Sequence, residues 1–136
     1  MASRMWHAAY DPGVPSTLLY EPLSVPQLLE RAVAIYPDRP AVLFRNRRLS
    51  HRQLYAEVRR LATALTRLGV VPGTRVAIQL PNIPQAVIAY YATLSLGAQV
   101  VMTNPLYVQR EIEHQWTDAD CRVAFVTDFL YEHTVR

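Results

Sequence analysis

The sequence predicts an α/β fold: a parallel βαβαβ core with flanking helices and a short β-hairpin ahead of it. Three observations carry this. No residue from Val76 through Gln109 bears a formal charge, and the stretch Arg75–Tyr107 reads strand, turn, helix, turn, strand. A further apolar run, Arg122–Thr127, follows one amphipathic segment later. Two helices opened by serine-led start signals precede the core. Parallel strands covered on both faces read as apolar runs without alternation, so the uncharged stretch is expected to be buried on nearly every side. Its crossover is expected to be right-handed.

Taken in order, residues 1–23 form an irregular arm, with Trp6, Tyr10 and Tyr20 among Pro12, Pro15 and Pro22. Flat aromatic side chains in a proline-rich arm suit a segment laid over a larger body. The folded domain is expected over 24–136. Its first helix begins with the capping box Ser24-Val25-Pro26-Gln27, in which each side chain satisfies a backbone N–H that the helix leaves free. Leu28, Leu29, Ala32, Val33 and Tyr36 supply an apolar stripe, and Pro37 stops the helix. Ala41-Val42-Leu43-Phe44 reads as a strand, which Arg45-Asn46-Arg47-Arg48 reverses into a short antiparallel partner ending at Leu49. A second capping box, Ser50-His51-Arg52-Gln53, opens a helix with Leu54, Val58, Leu61, Ala62, Leu65 and Leu68 on one face. Gly69 provides its left-handed end.

Val70–Thr74 is a tight connection into the strand Arg75–Leu80. The next helix spans Ile83–Leu96, with Asn82 expected as its cap, Gln85 completing a box-like pattern and Gly97 ending it. Gln99–Thr103 is the second parallel strand. After the turn Asn104-Pro105-Leu106-Tyr107, a short helix from Gln109 to about Asp118 turns Ile112 and Trp116 inward. Arg122–Thr127 is the third strand, and another helix starts at Asp128 and runs to Arg136.

Ile83–Met102 has about the length of a bilayer-spanning helix. Pro84, Gln85, Gly97, Gln99 and the β-branched pair Val100-Val101 break it, and no arginine cluster flanks it closely. The buried βαβ unit is the better reading.

With 51% hydrophobic residues the chain can bury a real core, and its four glycines and ten prolines are scattered rather than clustered into linkers or repeats. One cysteine, Cys121, excludes an internal disulfide and fits a reducing compartment, hence the cytoplasm. Cys121 itself reads as a small apolar residue ahead of a strand. No uninterrupted apolar run follows Arg4, so no secretory signal is expected. All 14 basic residues are arginine, so chemistry that needs a lysine amine is excluded for this chain. Residues 1–75 hold eleven arginines against five acids; residues 76–136 hold three against six. Arg45, Arg47, Arg48, Arg52, Arg59 and Arg60 form a basic front that suits anionic headgroups as well as solvent. Without interleaved aromatics or a nucleic-acid motif, it does not indicate nucleic acid.

In a parallel sheet the ligand crevice lies beyond the carboxyl ends of the strands, here Pro81-Asn82, Thr103-Asn104 and Asp128. With glycines only at 13, 69, 73 and 97, neither a dinucleotide fingerprint nor a Walker loop can be written. Glu111 and His114 are three apart on a helix flank that reads as solvated, and His51 has no second histidine at metal spacing. Asn82 and Asn104 read as a helix cap and a turn residue. No catalytic, cofactor-binding or metal-binding residue is assigned.

Several segments occur in the order seen at the start of adenylate-forming enzymes. They are Tyr36-Pro37-Asp38-Arg39-Pro40-Ala41, Leu49–Leu54, Leu68-Gly69-Val70, Pro72–Ala77, Leu80–Gln85, Ala98–Val101 and Asn104-Pro105-Leu106-Tyr107. The chain resembles the N-terminal part of the AMP-forming acyl-CoA synthetases, most closely bacterial long-chain fatty acid CoA ligases. The Trp6, Tyr10, Gly13-Val14-Pro15 and Tyr20 pattern is similar to the leader of that branch. The resemblance implies a partial N-terminal subdomain of the adenylate-forming fold. For the complete enzyme it implies ATP, magnesium and CoA, with a fatty acid activated as its adenylate and then transferred to the thiol. The family's phosphate loop, adenine-binding aromatic stretch, ribose-binding Asp and catalytic Lys have no counterpart here. The expectation is therefore a fragment or truncated product, inactive and poorly soluble alone. The alternative is a non-catalytic assembly module or one half of a split ligase. Relatives commonly carry Thr or Ser where Val108 stands, and losing such a cap costs about 1 kcal/mol.

Overall fold

A computed structural model describes residues 4–135. Residues 1–3 of the arm, and Arg136 at the end of the last expected helix, lie outside the described residues. Among the described residues eleven elements follow a short 3-10 helix at Met5–Ala9, which interrupts the arm that reads as irregular in sequence.

Helix α1 spans Val25–Ile35. The Ser24 N–H donates to Gln27 Oε1 at 2.7 Å, the reach-back half of the expected box. Strands β1 (Pro40–Phe44) and β2 (Arg47–Ser50) form the antiparallel hairpin. Its turn is only Arg45-Asn46, with Arg45 at φ +52°. Helix α2 (His51–Arg67) carries a complete capping box: Gln53 N–H donates to Ser50 Oγ at 3.2 Å, and Ser50 N–H to Gln53 Oε1 at 2.9 Å. At its other end Val70 N–H reaches the Leu65 carbonyl at 3.0 Å and Gly69 N–H the Thr66 carbonyl at 3.0 Å. This six-to-one pattern needs a left-handed residue, supplied by Gly69 at φ +85°. The chain therefore turns away at Leu68, which is 69% exposed instead of lying on the apolar face.

Strands β3 (Arg75–Gln79), β4 (Gln99–Met102) and β5 (Val123–Val126) form a parallel sheet in the order β4-β3-β5. Helix α3 (Pro84–Ser95) links β3 to β4, and α4 (Gln109–Asp118) links β4 to β5. Val76 joins a core with Leu29, Leu54, Val58, Leu65, Val70, Ala92 and Ala98, placing α1, α2 and α3 on one face. Val100 lies level with Val76, so Thr103, three residues further along, turns to the opposite face, where Trp116 of α4 meets it. The chain continues through α5 (Asp128–Leu130) into a π-helical stretch at Tyr131–Val135.

Two expectations require correction. Burial of the uncharged stretch on nearly every side holds only for β3, whose Val76, Ala77, Ile78 and Gln79 are fully buried. Strands β4 and β5 flank it with one neighbour each, so Gln99, Met102 and Ala124 are exposed. Nor does Asn82 cap α3: the cap position is Ile83, at φ −123° and ψ 159°, with no side-chain bond. Pro84 is the cause, since proline suits the first helical position and forces the residue before it into extended backbone.

Candidate functional site

The carboxyl ends of the strands, where the sequence places a ligand crevice, border an open groove of about 540 Å³. Its walls are β1 (Val42, Leu43, Phe44), the start of α3 (Asn82, Ile83, Pro84, Ala86, Val87, Tyr90, Tyr91) and Met102 at the end of β4. Every lining residue is uncharged. Asn82 thus lines the groove without capping a helix. Asn104 acts as the turn residue expected of it: its Oδ1 accepts from Leu106 N–H at 3.0 Å, and its carbonyl from Tyr107 N–H at 3.0 Å. Asp128 stands apart, its carboxylate accepting from Phe129 N–H at 2.9 Å, while Thr127 caps the last turn through Leu130 N–H at 3.2 Å.

Beneath the same end of the sheet lies a polar cluster of which the sequence singles out Thr103 and Trp116 but not Gln79 or Gln115. Gln79 is fully buried, and neither its Oε1 nor its Nε2 has a hydrogen-bond partner. The register that sets Ile78 beside Met102 puts Gln79 on the same face as Thr103, toward α4. Thr103 Oγ1 accepts from Trp116 Nε1 at 2.8 Å, and Gln115 Nε2 donates to the Met102 carbonyl at 3.2 Å. The Gln115 Oε1 atom is also buried without a partner. A polar residue inside the apolar run Val76–Leu80 was the available signal.

The residues present do not fit a magnesium–nucleotide site. Among the described residues no group of three or more His, Cys, Asp or Glu could hold a metal ion. Glu111 is committed to the start of α4, where its Oε2 accepts from Val108 N–H at 3.0 Å. His114 is exposed, and His51 Nδ1 lies 3.0 Å from the Arg39 carbonyl. Gly73 and Gly97 precede β3 and β4, joined by a 2.9 Å hydrogen bond at the opposite end of the sheet from the crevice. They cannot cradle a phosphate there.

Cys121 sits just before β5 and is half-buried, as a small apolar residue would be. Burial pushes its thiol pKa up, against the opposing pull of Arg75 and with a further push from Asp120. Asp120 ends α4 at φ +49° and bridges two cations, Arg75 at 3.1 Å and Arg122 at 2.8 Å.

A three-stranded parallel sheet with its crevice at the strand ends, entered through a hairpin and two helices, is the N-terminal architecture of adenylate-forming enzymes. The chain belongs to the AMP-binding enzyme family, whose model matches residues 29–136. It is 34% identical to a long-chain-fatty-acid–CoA ligase of Bacillus subtilis over 135 residues, covering 99% of this chain and 24% of that protein. It is 34% identical to the Yersinia pestis ligase of the same name over 134 residues, covering 97% and 24%. The chain spans about a quarter of the length of these relatives. Among solved structures, the anthranilate CoA ligase AuaEII in complex with anthranoyl-AMP superposes with a TM-score of 0.76. It shares 26% identity over 79% of this chain and 21% of that one. The NpsA N-terminal subdomain of Klebsiella oxytoca, in complex with 3-hydroxyanthranilyl-AMSN, gives 0.74 at 27% identity over 81% and 28%.

Proposed function

We propose that this chain is the N-terminal part of a long-chain fatty acid CoA ligase, cytoplasmic, whose complete enzyme converts a fatty acid, ATP and CoA to acyl-CoA, AMP and pyrophosphate. The observation that carries the reading is the 34% identity to two such ligases over nearly the whole chain. Within that enzyme this part acts as scaffold. Met102 at the end of β4, the hairpin and the start of α3 form the walls of the groove.

Alone, the chain is inactive and binds ATP weakly, because its four glycines form no phosphate-loop pattern and it carries no lysine. ATP–pyrophosphate exchange by the purified chain, with fatty acid and magnesium present, tests this; measurable exchange refutes it. The native mass in source cells tests the parent reading. A species much heavier than 15.5 kDa, with peptides continuing past Arg136, supports it.

A second reading is a non-catalytic assembly module or one half of a split ligase. The observation favouring it is the exposed apolar set Met102, Leu106, Val108, Phe129 and Tyr131, which offers a partner polypeptide a surface to cover. A stable native species at 15.5 kDa, monodisperse by size exclusion, favours this reading; aggregation of the isolated chain favours the first.

A further inference from the structure

We propose that Ser50 is a phosphoacceptor site for a serine kinase that reads arginines ahead of its target. The inference does not rest on the ligase reading. It starts from Arg47-Arg48-Leu49-Ser50, which sets arginines three and two residues before a hydroxyl. Charge patterns of this kind are how kinases select substrates, each guanidinium seating against carboxylates of the kinase cleft.

The sequence offers another hydroxyl of the same class, Thr63, with Arg60 three residues ahead of it. The structure separates the two. Thr63 stands inside α2, where its Oγ1 donates to the Arg59 carbonyl at 3.0 Å, and Arg60 is bound to Glu57. Ser50 ends β2 in extended backbone, at φ −74° and ψ 166°. Arg47 and Arg48 are exposed, and among the described residues neither has an acidic partner.

Backbone form decides which hydroxyl a cleft can take. An extended segment advances about 3.3 Å per residue and turns alternate side chains to opposite faces. Arg48 therefore shares a face with Ser50 while Arg47 lies on the other, as the register that sets Arg48 opposite Leu43 and Arg47 opposite Phe44 requires. A cleft can then hold the guanidiniums in separate acidic subsites with the hydroxyl at the phosphate. A helix advances only about 1.5 Å per residue and stacks residues three apart on one face, which crowds Arg60 against Thr63. Strand β2 has β1 as its only strand neighbour, so one of its edges is free of any strand.

Ser50 Oγ accepts from Gln53 N–H at 3.2 Å, which leaves the hydroxyl proton without an acceptor among the described residues. In the transfer, Oγ attacks the γ-phosphorus of ATP held by the kinase. The new O–P bond forms as the bond to the β–γ bridging oxygen breaks, ADP leaves, and the hydroxyl proton passes to the kinase's catalytic aspartate. The phosphoserine carries a charge of about −1.5 to −2 on the face of Arg48, which offsets much of the basic front at Arg45, Arg47 and Arg48.

The test is incubation of the purified, folded chain with the catalytic subunit of cyclic-AMP-dependent protein kinase and γ-labelled ATP, followed by tandem mass spectrometry of the peptides. The expected result is phosphate on Ser50 and none on Thr63. At about tenfold for each charge-assisted contact, R47Q/R48Q loses on the order of 100-fold in kcat/KM. Ser50→Asn keeps an oxygen to cap α2 but has no hydroxyl, so it loses the incorporation altogether. Thr63→Ala leaves it unchanged. Far-ultraviolet circular dichroism checks that each variant keeps its helices; should Ser50→Asn lose them, the arginine pair, on exposed strand positions, still decides. Absence of phosphate on Ser50 of the folded chain overturns the proposal. So does labelling of Thr63 at an equal rate, or an unchanged kcat/KM in R47Q/R48Q.

Discussion

Trp116 on α4 donates its indole N–H to Thr103 Oγ1 at 2.8 Å, and this bond ties the second crossover helix to the end of β4. Thr103 is 3% exposed, so its hydroxyl has little access to water. Thr103→Val keeps the shape and removes the acceptor. The expected cost is about 1 kcal/mol or somewhat more, because the indole donor is left without its partner. Urea denaturation followed by far-ultraviolet circular dichroism measures it, and an unchanged midpoint would show that the bond contributes nothing.

Gln79→Met should have the opposite sign. Both amide atoms of Gln79 are buried without partners, and methionine has nearly the same length without the polar group. Removing an unsatisfied buried amide is expected to stabilise the chain by about 1–3 kcal/mol. A lower urea midpoint in this variant would reveal a hydrogen-bond partner for the amide in solution.

Helix α4 begins at Val108, which occupies the cap position at φ −81° and ψ 164° but cannot accept a hydrogen bond. Glu111 already supplies the return bond to Val108 N–H. Val108→Thr completes the pair and should stabilise the helix by about 1 kcal/mol. Val108 is 60% exposed, so the change disturbs no packing. Slower amide exchange in the first turn of α4 is the accompanying readout.

Burial at Cys121 favours the thiol over the thiolate in the folded state. A raised folded pKa gives a stability contribution that is complete below the unfolded thiol's value, about 8.5, and is lost as pH rises through the folded one. The stability of the wild type relative to Cys121→Ala should therefore fall as pH rises above the unfolded thiol's value of about 8.5. Iodoacetamide should also alkylate Cys121 more slowly than it does an unstructured cysteine peptide. Equal alkylation rates would contradict the thiol's assigned burial.

The elements that were legible in the sequence are those whose ends carry local chemistry. Ser50 and Gln53 announce the start of α2 and Gly69 its end, and the structure shows all three in those roles. The end of α4, read at about Asp118, lies there in the structure, although Asp120 and not a glycine takes the left-handed position after it. Arg75, distant in sequence, and the nearby Arg122 bind its carboxylate there. The uncharged stretch identified the parallel core but not its strand order, which depends on β5 returning to the far side of β3. The site was legible only as a location. Asn82 stands at a strand end and lines the groove, but the groove also needs the hairpin, which lies well before it in sequence. Its wall is assembled by tertiary packing, and no local pattern encodes that.

The strand order also dictates when the chain can fold. During synthesis β3 emerges first and gains β4 soon afterwards, but its other edge stays open until Val123–Val126 has been made. Through that interval an apolar strand presents unpaired backbone groups along one side, the kind of species that chaperones shield and that otherwise pairs with its neighbours on a polysome. Slowing translation between the codons for Met102 and Val123 should therefore raise the share of newly made chain recovered in inclusion bodies. Slowing it after Val126 should leave that share unchanged.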